Sequence, residues 1–153
     1  MAREIEDKYL LTSDAWRELV HESTRISQTY LLGTRRLTVR TRLEQSRPAI
    51  LCIKLAARTD GTPEYEWQIP TWCARLCQTW SSRTLSKVRH RITWGTLTIE
   101  VDEFDGELDG LIVAEIEKPS VGYPYDKPTW FGQDVTNDKR YKNSRLVKTG
   151  LSN

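Results

Sequence analysis

Along most of this chain, apolar and charged residues alternate one for one. Glu4, Glu6 and Lys8 stand opposite Ile5 and Tyr9. In an extended strand, side chains two apart share a face, so the three charges point the same way. The pattern returns six times. Leu37, Val39 and Leu43 alternate with Arg40 and Arg42; Leu51, Ile53 and Leu55 oppose Lys54, which shares its side with Ile50 and Cys52. Tyr65, Trp67 and Ile69 oppose Glu64 and Glu66, and Val88, His90 and Ile92 oppose Lys87, Arg89 and Arg91. Leu97, Ile99 and Val101 oppose Glu100 and Asp102; Ile112, Ala114 and Ile116 oppose Glu115 and Glu117.

Between these strands lie other elements. Ser13 can cap a helix from Asp14 to about Thr24, with Trp16, Leu19 and Val20 as its apolar stripe. Gln28 to Leu32 reads as an eighth strand, closed by Gly33. Pro70-Thr71 opens a helix carrying Trp72, Leu76 and Trp80 at four-residue spacing. Asp60-Gly61, Trp94-Gly95, Asp105-Gly106 and Asp109-Gly110 mark turns. Pro119, Pro124 and Pro128 interrupt the next segment, and a helical stretch around Asp138 to Val147 ends the pattern. Short connections predict an antiparallel sheet. The fold class is α+β, mainly β: an eight-stranded closed antiparallel barrel, with the helices against its outer apolar face.

The charged faces are sorted by sign. Glu4, Glu6, Glu64, Glu66, Glu100, Asp102, Glu115 and Glu117 stand mostly on strands of their own, as do Arg40, Arg42, Lys54, Lys87, Arg89 and Arg91. Like charges two apart repel, so the sorting is a costly way to make a soluble surface. It suits an enclosure holding divalent cations and a polyanion together. That enclosure must be water-filled, because desolvating a charge costs several kcal/mol.

Composition narrows the picture. A chain of 153 residues predicts one domain, 1–153. A net charge of +2 gives no bulk basicity to recommend nucleic acid as a partner. Three cysteines do not make a disulfide framework, so a reducing cytoplasm is expected, with Cys73 and Cys77 as packing residues. No apolar run approaches the ~20 residues of a bilayer span, and no membrane partner or targeting segment is expected.

The order Glu4-x-Glu6-x-Lys8, Arg40-x-Arg42, Lys54, Glu64-x-Glu66, Lys87-x-Arg89, Asp102 and Glu115-x-Glu117 resembles the CYTH family, the triphosphate tunnel metalloenzymes. The segment from Trp130-Phe-Gly132 through Thr136, Asp138 and Tyr141 to Asn143 is similar to the family's closing signature. The resemblance runs from Glu4 to about Leu146. It implies a tunnel for a linear triphosphate with Mg²⁺ or Mn²⁺, and hydrolysis of inorganic tripolyphosphate, nucleoside triphosphates or thiamine triphosphate. Some members cyclise ATP. Two departures stand out: His90 replaces a frequent tyrosine, and the connection from the Lys87 strand to the Glu100 strand is short.

Carboxylates without histidine partners suit a hard, oxygen-ligated cation. Glu4, Glu6, Glu115 and Glu117 match the family's metal-binding pairs, with Asp102 and Glu100 next. Each carboxylate could instead form a salt bridge across the tunnel, and Glu64 and Glu66 could hold Lys54 or Arg42. Lys8, Arg40, Arg42, Lys54, Lys87 and Arg89 are the substrate-binding set, with arginine able to grip two phosphate oxygens. Lys8 and Lys87 are the catalytic candidates, placed to meet the attacking water or the terminal phosphate. Arg91 is expected at the rim, and Tyr30 in packing or on substrate. The leading function is a metal-dependent inorganic triphosphatase. Adenylate cyclase, thiamine triphosphatase and a non-catalytic polyphosphate or nucleotide binder are the alternatives. The expected partner is a small-molecule triphosphate, with the chain a monomer or homodimer.

Overall fold

In the computed structural model of the protein, residues 2–56, 58–59 and 61–151 are described, Ala2 and Arg3 by backbone alone. The alternating segments become strands β1 (Ala2–Glu4), β2 (Glu6–Leu11), β3 (Glu22–Gly33), β4 (Leu37–Glu44), β5 (Ala49–Leu55) and β6 (Thr62–Ile69). After helix α1 (Thr71–Trp80) come β7 (Thr84–Trp94), β8 (Leu97–Phe104), β9 (Ile112–Glu117) and β10 (Phe131–Asp134), then helix α2 (Asn143–Thr149). One antiparallel sheet holds all ten segments in the order β1-β6-β5-β4-β3-β7-β8-β9-β2-β10.

The expected eight strands and closed ladder need correction. β1 and β2 are one extended stretch interrupted at Ile5, whose carbonyl turns aside to accept from the Lys118 amide at 2.7 Å. Counting them once leaves nine strands, the extra one being β10. Proline-rich sequence before β10 concealed it, since only four residues pair there, with a register shift against β2. The hydrogen-bonded ladder is linear, with β1 and β10 at its ends.

Register places the alternating charges of the strands on one face. Lys8 lies opposite Glu115, Arg89 opposite Asp102, Arg91 opposite Glu100 and Lys54 opposite Glu64. The other face is apolar where β2, β7, β8 and β9 meet. Tyr9, Ile92, Ile99, Val101, Ala114 and Ile116 pack there against Trp16 and Trp130. Burying such side chains is worth roughly 1.5–3 kcal/mol each, which anchors the apolar face outward and leaves the charges on the other side.

The helices depart from expectation. Asp14–Thr24 is not a helix: a 3-10 turn, Ala15–Leu19, seats Trp16, and β3 starts at Glu22. The run Glu22-Ser-Thr-Arg-Ile-Ser, with its β-branched and hydroxyl residues, prefers extension to a fourth helical turn. α1 lies over β3, β4 and β5, but not through its Trp72–Leu76–Trp80 stripe. Ala74 is buried, Gln78 donates to Ser27 Oγ at 2.8 Å, and Cys73 and Cys77 are half-buried. Trp72 and Trp80 are 67% and 79% exposed. Small side chains let the helix sit close to the sheet, which the bulky stripe would prevent.

α2 also sits elsewhere than on the outer face. Leu146, with Val147 and Tyr141 beside it, packs on Tyr30, Leu85, Phe104 and Val113, which share the charged face of the sheet. Part of that face is therefore apolar and covered by α2. The Asp60-Gly61 turn falls on Asp60, outside the described residues; Arg58 and Gly61 bridge across it. The Trp94-Gly95 turn forms as expected, with Gly95 at φ 61°. Among the described residues no helix is long and apolar enough to cross a membrane.

Candidate functional site

Sheet order turns single-signed strands into two sectors. β5, β4, β3 and β7 are neighbours and carry Lys54, Arg40, Arg42, Lys87, Arg89 and Arg91. β8, β9 and β2 follow on one side with Glu100, Asp102, Glu115, Glu117 and Glu6; β6 and β1 close the other with Glu64, Glu66 and Glu4. The sectors face a single cavity of about 1450 Å³. Of the predicted residues, Glu4, Glu6, Lys8, Arg40, Arg42, Lys54, Arg89, Glu115 and Glu117 line it, joined by Glu64, Glu66, Arg91 and Glu100.

Ion pairs link the walls. Lys8 reaches Glu115 and, at 2.9 Å, Glu6; Lys54 reaches Glu4 and, at 3.2 Å, Glu64. Arg89 is held from both sides of its fork: Nε donates to Asp102 Oδ1 and Nη2 to Oδ2, each at 2.7 Å, while Nη2 also reaches Glu115 at 3.0 Å and Nη1 reaches Glu100. Arg42 pairs with Glu66 at 3.2 Å. Arg91 bonds Glu22, Glu44 and Glu100, at the outer part of the charged face. The expected salt bridges across the cavity thus exist in quantity.

The arginines are not saturated. Arg40 Nη1 donates to the Tyr30 hydroxyl at 3.4 Å, which itself donates to Gln28 Oε1 at 3.3 Å. The buried Nε–H groups of Arg40 and Arg42 make no hydrogen bond among the described residues, the Arg42 Nε lying 3.9 Å from Glu44 Oε2. Buried donors nearly always find partners, so two orphans on one basic wall mark a place for an anion. Tyr30 and Gln28 both line this wall. Gln28 had no sequence signal beyond sharing a strand face with Tyr30.

Two predicted residues stand apart. Lys87 and Asp102 are both 0% exposed and are absent from the cavity wall. Lys87 pairs with Asp102 behind Arg89, and its ammonium lies 5.4 Å from the centre of the Phe104 ring. The sequence set Lys87 against water or phosphate and Asp102 among the metal ligands; in the structure both lie off the cavity wall, and both Asp102 oxygens accept from Arg89 or Lys87. Both lie on the charged face, but β7 and β8 run on into the apolar region under α2. Burial and the neighbouring Arg89 bring Lys87 down to about 8, with Asp102 opposing them.

The acidic sector has its own small cavity of about 50 Å³, walled by Glu4, Glu6, Thr98, Glu100, Glu115 and Glu117. Burial would raise the Glu115 carboxyl, but Lys8, Arg89 and Lys87 hold it well below the usual range. Glu6 and Glu117 shift the opposite way. Burial and then Glu115 raise Glu6; burial and then Glu4 and Glu100 raise Glu117. Burial, with neighbouring carboxylates adding to it, disfavours charge at both groups even though Lys8 pairs with Glu6, a condition a divalent cation relieves. A tighter group, Cys52, Glu64 and Glu66, also brings its ligand atoms within 4.8 Å of one another. Its thiol donates to Glu64 at 2.8 Å and is pushed up to about 12 by burial, so it is a poor ligand for a hard cation.

No family model matches the chain. An inorganic triphosphatase of Acetivibrio thermocellus is 35% identical over 158 aligned residues, covering all of this chain and 98% of that protein. One from Nitrosomonas europaea is 37% identical over 55% of this chain and 58% of its own length. Among solved structures, the inorganic triphosphatase NE1496 aligns over 100% of this chain and 97% of its own, with a TM-score of 0.68 and 29% identity.

Proposed function

The chain belongs to the CYTH family of triphosphate tunnel metalloenzymes, among the inorganic triphosphatases, and from that premise we propose that it hydrolyses the terminal phosphoanhydride bond of inorganic tripolyphosphate within its charged cavity. Water attacks the terminal phosphorus, the bridging P–O bond breaks, and orthophosphate and pyrophosphate leave. The observation that carries the reading is the pair of unsatisfied arginine Nε–H groups on a basic wall facing a carboxylate-lined recess.

The cavity works as a tunnel. β1 pairs with β6 at one end of the linear ladder and β2 with β9 beside the other, so the stretch through Ile5 passes from one side of the cavity to the other, and the charged face lines it. Arg40, Arg42, Lys54 and Arg89 neutralise phosphate oxygens. Phosphoryl transfer needs chiefly this positioning and charge neutralisation, and a transition-state arginine can contribute ~10³–10⁵ in rate. Lys8, raised above its ordinary value by Glu115 and Glu6 against the effect of burial, stays protonated. It acts as a cation that holds two carboxylates and not as a base. Asp102, with Lys87 behind it, fixes the Arg89 fork.

Glu4, Glu6, Glu115 and Glu117, with Glu100 beside them, would hold a Mg²⁺ or Mn²⁺ ion; their all-oxygen, mutually repelling donor set fits such a cation. Once bound, it neutralises charge on phosphoryl oxygens. The three free cysteines suit a reducing cytoplasm.

Incubation with tripolyphosphate, ATP, GTP and thiamine triphosphate, each with Mg²⁺ or Mn²⁺, tests the proposal. Orthophosphate released fastest from tripolyphosphate is expected, and Glu4→Gln or Glu117→Gln should abolish turnover while leaving the circular dichroism spectrum unchanged. Cyclic AMP as the main product, or tight binding without turnover, would overturn the reading.

A further inference from the structure

Two of the carboxylates assigned to the metal, Glu4 and Glu6, lie on either side of the break between β1 and β2. Glu4 is held by β6, in register with Thr62, and Glu6 by β9, in register with Glu117. Ile5, at the crossing, is paired in neither ladder. A residue free of both ladders keeps two soft dihedrals, so something besides the sheet must fix Glu4 against Glu6 and Glu117.

Lys118, the residue after Glu117, grips that crossing at two points. Its amide donates to the Ile5 carbonyl at 2.7 Å, and its ammonium donates to Asp7 Oδ1, also at 2.7 Å. The Lys118 and Asp7 side chains are only 10% and 20% exposed. Asp7 breaks the alternation of its strand: it stands on the apolar side of β2, in register with the core residue Ile116. A carboxylate largely removed from water needs partners, and Asp7 has a second one. Its Oδ2 accepts from the Tyr125 hydroxyl at 2.8 Å, and that hydroxyl lies 2.8 Å from the Tyr9 hydroxyl. Lys118 and Tyr125 belong to the irregular segment 118–130. It is pinned by Trp94 Nε1, which donates to the Asp126 carbonyl at 2.7 Å, and by the Thr12 amide, which donates to the Trp130 carbonyl at 3.0 Å. Asp7, Lys118 and Tyr125 all lie off the cavity wall.

We propose that Lys118 and Asp7 are positioning residues for the divalent cation, a clamp behind the cavity that holds the Glu4–Glu6 crossing against Glu117. The proposal rests on the assignment of Glu4, Glu6 and Glu117 as metal ligands and adds the residues that set their spacing. Neither clamp residue touches the ion or the substrate.

The sign of one substitution separates this role from a simple field effect. By charge alone, loss of the Lys118 ammonium would strengthen the binding of another cation. Loss of the clamp weakens it.

The test is Mn²⁺ binding to the full chain without substrate, counted from the electron paramagnetic resonance signal of the free ion. Kd should rise about tenfold in Lys118→Met and in Asp7→Ala, and no further in the double variant, because either change alone opens the clamp. Lys118→Arg keeps a donor for Asp7 and should stay within about threefold of wild type. Arg25→Ala, which removes an exposed ion pair with Asp105, should leave Kd unchanged. With tripolyphosphate at saturating Mn²⁺, kcat of Lys118→Met should stay within about threefold of wild type, the loss appearing in the metal requirement. Lys118→Met carries the decision even if Asp7→Ala does not fold, because it leaves the amide bond to Ile5 in place.

A wild type that binds no Mn²⁺ would overturn the ligand assignment and the clamp with it. A wild type that binds Mn²⁺, with Lys118→Met binding equally or more tightly, would overturn the clamp alone. A lowered Tm with unchanged Kd would likewise reduce Lys118 and Asp7 to packing and overturn the proposal.

Discussion

Lys87 shows how one residue's surroundings set its role. Fully buried beside Phe104, it shares Asp102 with Arg89. Removing the carboxylate strands two cations, so Asp102→Asn should cost ~3–5 kcal/mol in a denaturant titration. Lys87→Met removes a buried charge while leaving the bidentate Arg89–Asp102 pair, and should be near neutral in stability and retain most of kcat. A fall of kcat by about a hundredfold in a stable Lys87→Met protein would instead place the lysine on substrate.

The pH dependence has a definite sign. With a native pKa of about 8 against an ordinary 10.5, the unfolded chain holds more protons at this site between those values. This group's contribution to stability therefore rises from pH 8 to 10.5, and Lys87→Met should remove that increment from the pH–stability curve.

At the scale of elements, β10 depends on a close approach. A Cβ on Gly132 would stand 2.9 Å from the Thr12 methyl and 3.0 Å from the Leu10 carbonyl oxygen. The carbonyl belongs to β2 and cannot yield without shifting the strand that carries Lys8. Gly132→Ala should lower stability by ~1–3 kcal/mol, seen as a reduced Tm. An unchanged Tm would show that β10 can peel away freely. α1 teaches a different lesson, because its four-spaced Trp72, Leu76 and Trp80 predict a helix but not its buried face. The helix docks through Ala74, Cys73, Cys77 and Gln78, where it can approach the sheet closely. β3 begins at Glu22, six residues before the expected Gln28, because Trp16 and Val20 fit a helical stripe as well as they fit a turn entering a strand.

Over the whole molecule, the charged cavity predicts linked stability. On the proposed function Mg²⁺ and tripolyphosphate would bind only the assembled sectors, so ligand at ~100 Kd should add ~2.7 kcal/mol to unfolding. The Tm of wild type should rise when both are added, and that rise should disappear in Glu6→Gln/Glu117→Gln. A Tm insensitive to both ligands would contradict the site.

The sequence by itself determined the two faces of each strand, because a period of two leaves no choice once apolar Ile99, Val101, Ala114 and Ile116 must be buried. It also determined the sign of each strand, and so the ingredients of the site: Glu4, Glu6, Glu115 and Glu117 on one hand, Arg40, Arg42, Lys54 and Arg89 on the other. Only the tertiary structure decided which strands are neighbours, and hence that the acids form one sector and the bases another. It also decided how far along each strand the cavity reaches, which separated Lys87 and Asp102 from their in-phase neighbour Arg89. Local alternation encodes direction, because it follows from the geometry of one strand. Adjacency and depth depend on pairings between residues as distant as Lys8 and Glu115, and on where α2 finds apolar surface to cover.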